Sequence, residues 1–230
     1  MTRIIQLHER LELLSEGDPP YHSLFVMARL LGDPDRLLLI DPPVDVRERF
    51  SLAEENAVLF TGAVAETGLP AVQTRPGGVA HLSVGQHLLD IYSQQNGNVV
   101  YFPALGVLCG GEFGSDLLLP LLAPGADGSD AIETLRLLAQ LVKQRRLDVY
   151  IPRVGSLCRD RVEVMGRLAA DVSYLHGLRR LVSDSVAQGQ PLERIEQQAA
   201  ALVPEKRHTP LCWEIHGENV ERLWRVFSHR

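Results

Sequence analysis

Gly97-Asn98-Val99-Val100-Tyr101-Phe102-Pro103-Ala104-Leu105-Gly106-Val107-Leu108-Cys109-Gly110-Gly111-Glu112 holds two apolar blocks, Val99–Phe102 and Val107–Cys109, with Pro and Gly between them. Blocks this short, rich in β-branched and aromatic residues and bounded by turn formers, predict strands rather than helices. Toward the N-terminus the same grain continues through Leu88–Tyr92, Val79–Val84, Ala57–Phe60, Leu37–Ile40, Leu24–Leu31 and Ile4–Leu7. Asp33-Pro34-Asp35, Asp41-Pro42-Pro43 and Asn96-Gly97-Asn98 supply turn chemistry, with Gly97 able to take positive φ.

Toward the C-terminus the period changes. Ala131, Ile132, Leu135, Leu138, Ala139 and Val142 recur at helical spacing, with Asp130 and Glu133 as a capping box and Lys143, Arg145 and Arg146 at the far end. A short strand, Val149–Ile151, stops at Pro152. Asp160 and Glu163 repeat the capping spacing, with Arg159 and Arg161 at the entry. The long helical pattern they open runs through Val162, Met165, Ala169, Val172, Leu175, Val182 and Val186 to Gly189. Pro191 starts another helix, and Val220, Leu223, Trp224 and Phe227 form the stripe of a last one. Strands, one capped helix, a further strand and a helical tail predict an α/β chain, α+β by layer.

Composition excludes several classes. The 230 residues are 45% hydrophobic and 23% charged, which is neither disordered nor disulfide-stapled. A net charge of −6 gives no reason to expect nucleic acid or an anionic membrane as partner. The short basic runs at Lys143/Arg145/Arg146 and Lys206/Arg207 read as solvated helix ends or loops. The longest apolar run, Leu117–Ala123, carries Pro120 and is too short to span a bilayer. Charges at Arg3, Glu9, Arg10 and Glu12 interrupt any signal-peptide core. Cys109, Cys158 and Cys212, odd in number and outside any C-x-x-C, point to buried reduced thiols in a cytoplasmic protein.

The order of landmarks resembles the metallo-β-lactamase superfamily. Leu37-Leu38-Leu39-Ile40-Asp41 is similar to the family's strand ending in Asp, and Ala57-Val58-Leu59-Phe60-Thr61 to the strand entering its metal-binding loop. Gly97–Phe102 resembles the strand after the third histidine, Val107–Glu112 the strand ending in the metal-bridging Gly-Asp, and Tyr150–Gly155 the turn carrying the last ligand. Leu175 to Val182, Gly189–Glu193 and His216–Val220 look like the C-terminal helices of its hydrolases. The resemblance implies a four-layered αββα sandwich over residues 1–159, with residues 160–230 as a helical extension packed on the same domain.

The resemblance also implies one or two zinc or iron ions held by His-x-His-x-Asp-His and further ligands. Laid on this chain, the ligand positions fall on Gly62, Val64, Glu66, Thr67, Gln94, Glu112 and Val154. No histidine lies between His22 and His81 or between His87 and His176, so a shift of a few positions does not restore the motif. A metal is therefore expected to be absent, and with it the acidified water and Lewis acid of the family's mechanism.

The expected function is that of a binding, regulatory or scaffold protein with a small-molecule or protein partner. The alternative is a divergent hydrolase in which Glu66 and Glu112 are catalytic. In that reading they work by metal-free acid–base chemistry, or with Gln94 and Thr67 around a weakly held Mg²⁺ or Ca²⁺. A homo-oligomer whose interface is its function is the third reading. His208, Cys212 and His216 have ligand-like spacing, but Pro210 and the β-favouring Cys212-Trp213 argue against a regular helix and against a metal there. His87 and Asp90 fall on opposite faces of a strand, so they and His81 are expected on a hydrated sheet rather than around an ion. No Walker loop, dinucleotide fingerprint, G-x-S-x-G elbow or H-E-x-x-H is present.

Overall fold

In a computed structural model of the chain, the short apolar blocks become two mixed sheets. The structure describes residues 2–28, 36–50, 55–62, 64–95 and 97–229. The turn expected at Asp33-Pro34-Asp35, the end of the Leu24–Leu31 block and Asn96 lie outside the described residues. The chain divides into two units, one of residues 1–111 with 145–159, the other of residues 112–144 with 160–230.

In the first unit β1 (Arg3–His8), β2 (Leu11–Glu16), β3 (Tyr21–Ala28), β4 (Arg36–Ile40) and β5 (Glu55–Leu59) form one sheet in chain order. Its β4–β5 pair is parallel and its other pairs are antiparallel. A short helix, α1 (Val46–Arg49), lies in the β4–β5 connection. The second sheet has the order β10-β9-β8-β7-β6, from β6 (Val79–Val84), β7 (His87–Gln94), β8 (Gly97–Phe102), β9 (Val107–Gly111) and β10 (Val149–Pro152). Only β9–β10 is parallel there.

Alternation explains the core. Leu11 and Leu13, Leu24 and Val26, and Leu38 and Ile40 point from the first sheet to Leu89 and Ile91, Val100 and Phe102, and Val149 and Ile151 of the second. The first sheet's other face packs Leu37, Leu39 and Val58 against Val46 of α1, Phe50 and Leu69. Strand β2 was not among the expected blocks, because Glu12 breaks its run of leucines; yet Leu11, Leu13 and Leu14 are all buried.

The second unit holds α2 (Ser129–Gln144), α3 (Arg161–Ala187), α4 (Leu192–Ala199) and α5 (Pro210–Ser228), with α3 packed on the other three. Asp160 caps α3, its carboxylate accepting from Val162 N at 2.8 Å. Helix α2 starts before the expected capping residue: Asp127 accepts from Ser129 N at 3.0 Å, and Asp130 lies inside the first turn. The buried stripe of α3 runs through Val164, Leu168, Asp171, Leu175, Leu178, Val182 and Ser185. Val162, expected on that stripe, is exposed, because the true stripe includes two polar residues that apolar spacing passes over.

Two further expectations need correction. Residues 210–228 are a regular helix despite Pro210, which occupies the first turn where its missing N–H costs nothing, and Thr209 caps it by accepting from Cys212 N at 3.2 Å. Arg207 is not a solvated loop residue: it is buried and paired at 2.5 Å with the wholly buried Asp171, which also accepts from Gly114 N at 2.7 Å. Among the described residues no helix is long and apolar enough to cross a membrane.

Candidate functional site

Parallel pairing of β4 with β5 brings Asp41, directly after β4, close to Thr61, two residues past the end of β5. Both are buried. Asp41 adopts φ +50, and its carboxylate accepts from Thr61 N at 2.8 Å and from the Thr61 hydroxyl. Its backbone is held as well, with Asp41 N donating to Leu59 O at 2.9 Å and Ser23 Oγ donating to Asp41 O at 2.7 Å. Both carboxylate oxygens of Asp41 thus accept from Thr61.

The second sheet closes on the same point. Asn98 Nδ2 donates to Phe60 O at 2.7 Å. The Thr61 carbonyl sits so near Gly97 and Gly111 that a Cβ on either would lie 2.3 Å and 2.6 Å from its oxygen. Gly111 also holds φ +61, so space and backbone both demand glycine. Beyond β10, Arg153 N donates to Gly111 O at 2.8 Å, and Gly155 O accepts from His22 Nε2 at 2.6 Å. Arg153 Nε donates to the Tyr21 hydroxyl at 2.9 Å. Burial first, and then the Asp41 carboxylate, push the Cys109 thiol far above the ordinary range, which disfavours its thiolate.

The residues singled out from the sequence lie around this knot in unequal states. Gly62 is buried directly after Thr61, while Val64 and Glu66 are exposed on the loop that follows. Thr67 is buried, with its hydroxyl 3.4 Å from Leu69 N. Gln94, at the end of β7, is half-buried and donates to Ser93 O at 3.1 Å. Val154 is half-buried and bridges backbone to backbone with Tyr21. Glu112, half-buried, is the residue after β9 and belongs to the helical unit.

Away from this region, His81 and Asp90 pair at 2.8 Å across β6 and β7, while His87 Nε2 donates to Glu9 O at 2.8 Å. His216 is buried against Tyr174, and among the described residues no group of three or more His, Cys, Asp or Glu is placed to hold a metal ion. The sequence marks Asp41 as a strand end and turn residue and Thr61 as a strand end, but neither their bond nor the contacts of Gly97, Asn98 and Gly111 is legible in it. The available signal was a polar residue closing each of two apolar runs.

No protein-family model matches the chain, and neither does any curated protein sequence. Solved structures do match. A β-lactamase domain protein from Burkholderia ambifaria is 11% identical, with a TM-score of 0.63 over 97% of this chain and 87% of that one. The stereoselective inverting sec-alkylsulfatase Pisa1 from Pseudomonas sp. is 11% identical with a TM-score of 0.61; 98% of this chain is covered, but only half of that protein. The Flv1 flavodiiron core from Synechocystis sp. is 11% identical with a TM-score of 0.55, over 85% of this chain and 74% of that one. The chain therefore has the metallo-β-lactamase type of fold, two mixed sheets with helices and a helical C-terminal region.

The residues at the ligand positions do not fit the zinc or iron that this fold implies. Zinc asks for about four N, S or carboxylate donors in a tetrahedral array. Gly62, Val64 and Val154 have no side-chain donor, Thr67 and Gln94 offer neutral oxygens or an amide, and Glu66 stands out in solvent, which leaves Glu112 as the one half-buried carboxylate of the set.

Proposed function

We propose that this chain is a member of the metallo-β-lactamase fold that has given up metal-dependent hydrolysis and serves as a binding, regulatory or scaffold protein. One observation carries the reading: three of the seven ligand positions hold glycine or valine, and the loop mouth beside them is fastened by protein hydrogen bonds at Asp41, Thr61 and Asn98. The hydrolase alternative rests on Glu66 and Glu112, and the exposure of Glu66 on its loop gives that carboxylate little support as a base near neutral pH. The partner is a small molecule or a protein that does not require a metal ion for recognition.

Elemental analysis of protein purified without chelators, followed by calorimetric titration with zinc, iron(II) and manganese, tests this. The expected result is metal well below one ion per chain and no saturable heat. Stoichiometric metal that is lost when Glu66 is replaced by Gln overturns the proposal.

A further inference from the structure

Helices α3 and α5 bury a polar chain of three side chains, Tyr174, His216 and Asn219, whose exposures are 2%, 4% and 0%. Its hydrogen-bond polarity can be deduced. Asn219 Oδ1 accepts from Leu122 N at 2.9 Å, which fixes the amide, so Nδ2 is the donor to Pro120 O at 2.9 Å and to the Tyr174 oxygen at 3.3 Å. The Tyr174 O–H is then left to donate to His216 Nδ1, 3.0 Å away. An accepting Nδ1 means that the imidazole is neutral and carries its proton on Nε2. That Nε2 is buried without a hydrogen-bond partner, with the Trp213 ring set edgewise at 5.7 Å between centroids.

The chain ends on the Leu117–Ala123 segment, which has no regular structure and buries Leu118, Leu119 and Leu122. A second proton on His216 is incompatible with this arrangement. Nδ1–H and Asn219 Nδ2 would both donate to one phenol oxygen, and the phenol's own proton would have no acceptor. We propose that Tyr174, His216 and Asn219 form a proton-operated latch, which holds Leu117–Ala123 while His216 is neutral and frees it when His216 is protonated. This inference is independent of the binding function proposed above.

The surroundings do not rescue the imidazolium. Tyr174 on α3 and Cys212 on α5 are buried groups whose own pKa values burial raises. Asp171 and Arg207 neutralise one another, and His208 lies beyond Trp213, 5.2 Å from its ring. Burial lowers the His216 pKa. Because the folded value lies below the unfolded one, stability of the latch is present above about pH 6.5 and is lost as pH falls toward the folded value.

Native-state hydrogen exchange at the Leu122 amide reads the latch directly, with rates expressed as protection factors so that intrinsic exchange cancels. Opening that exposes His216 should cost Leu122 up to roughly 50-fold in protection between pH 6.5 and 4.5. In His216→Gln, and in His216→Phe should that variant fail to fold, the fall should disappear. The Gly114 amide, held by Asp171, reports the separate titration of that carboxyl in the same spectra. Unchanged Leu122 protection in the native protein, or the same fall in either variant, overturns the latch.

Discussion

Replacing Thr61 by Val tests whether the knot at the sheet ends is held by its polar bonds or merely by shape. The substitution keeps volume and branching and deletes one hydroxyl. That hydroxyl donates to Asp41 Oδ2, while Thr61 N keeps its 2.8 Å bond to Oδ1. Asp41 and Thr61 are 4% and 5% exposed, so solvent does not readily replace the lost donor. A hydrogen bond to a charged group is worth about 1.5–3 kcal/mol. With a urea slope of about 2 kcal/mol/M, the unfolding midpoint should fall by roughly 0.8–1.5 M. The buried thiols make the assay specific to each unit, since Cys109 and Cys158 lie in the sheet unit and Cys212 in the helical one. Pulsed alkylation across a urea series, read peptide by peptide, gives the Cys109 midpoint with Cys212 as an internal reference. Thr61→Ser keeps the hydroxyl and should lose only about 1 kcal/mol for its methyl. A Thr61→Val midpoint within roughly 0.2 M of the native one, equivalent to less than about 0.5 kcal/mol, would refute the reasoning.

Glycine positions give a paired test by the same method. Gly111→Ala meets both positive φ and the Thr61 carbonyl at 2.6 Å and should cost at least about 2 kcal/mol; Gly217→Ala, inside α5 with nothing within 4 Å of its Cβ, should instead stabilise by about 0.5–1 kcal/mol. Arg207→Met strands the buried Asp171 carboxylate and should cost about 3–5 kcal/mol by urea unfolding, part of which returns in the Asp171→Asn, Arg207→Met double variant. Burial pushes Asp171 up to about 6 against the opposing pull of Arg207, so the folded state binds the extra proton between about pH 4 and 6. In a His216→Gln background, which removes the opposing histidine titration, stability of the helical unit should therefore fall with rising pH across that window, and adding Asp171→Asn should flatten the profile of melting temperature against pH.

Much of the sheet unit is legible because its strands are hydrophobic on a simple period. Leu37–Ile40 needs no partner to be recognised as a buried strand, and β7 to β9 follow one another with turn residues between them. Where charge enters the run the reading fails: Glu12 conceals β2, although strand alternation sends it away from Leu11 and Leu13. The helical unit hides more, since its buried stripe uses Asp171, His216 and Asn219, each stabilised by a partner far away in sequence. Arg207 looks like half of a basic pair until Asp171 is placed beside it. Pro210 looks like a breaker until Thr209 is seen to cap the helix that begins there. A residue whose role is to satisfy a distant buried group leaves no local pattern, because the information resides in the pair.

The candidate site follows the same logic in sharper form. Negative evidence was plain in the sequence, as histidines are missing from the segments that resemble ligand loops. Positive evidence was not, because Asp41 and Thr61 are twenty residues apart and meet only through the β4–β5 register. Metal ligands in this kind of fold would tie strand ends and loops from two sheets to a common point. Here the Thr61 segment is itself such a point. Asp41 holds it from its own sheet, Asn98 donates to the preceding carbonyl from the other, and Gly97 and Gly111 admit its carbonyl between the strand ends. Bonds of this kind contribute about 1 kcal/mol each when neutral and more when one partner is a carboxylate. Several converge here on one buried residue, and together they help to order the mouth. A histidine restored at Gly62 or Val64 would therefore meet strand ends already fixed by other means, and a ligand set rebuilt one residue at a time gains no support from the scaffold until most of it is present.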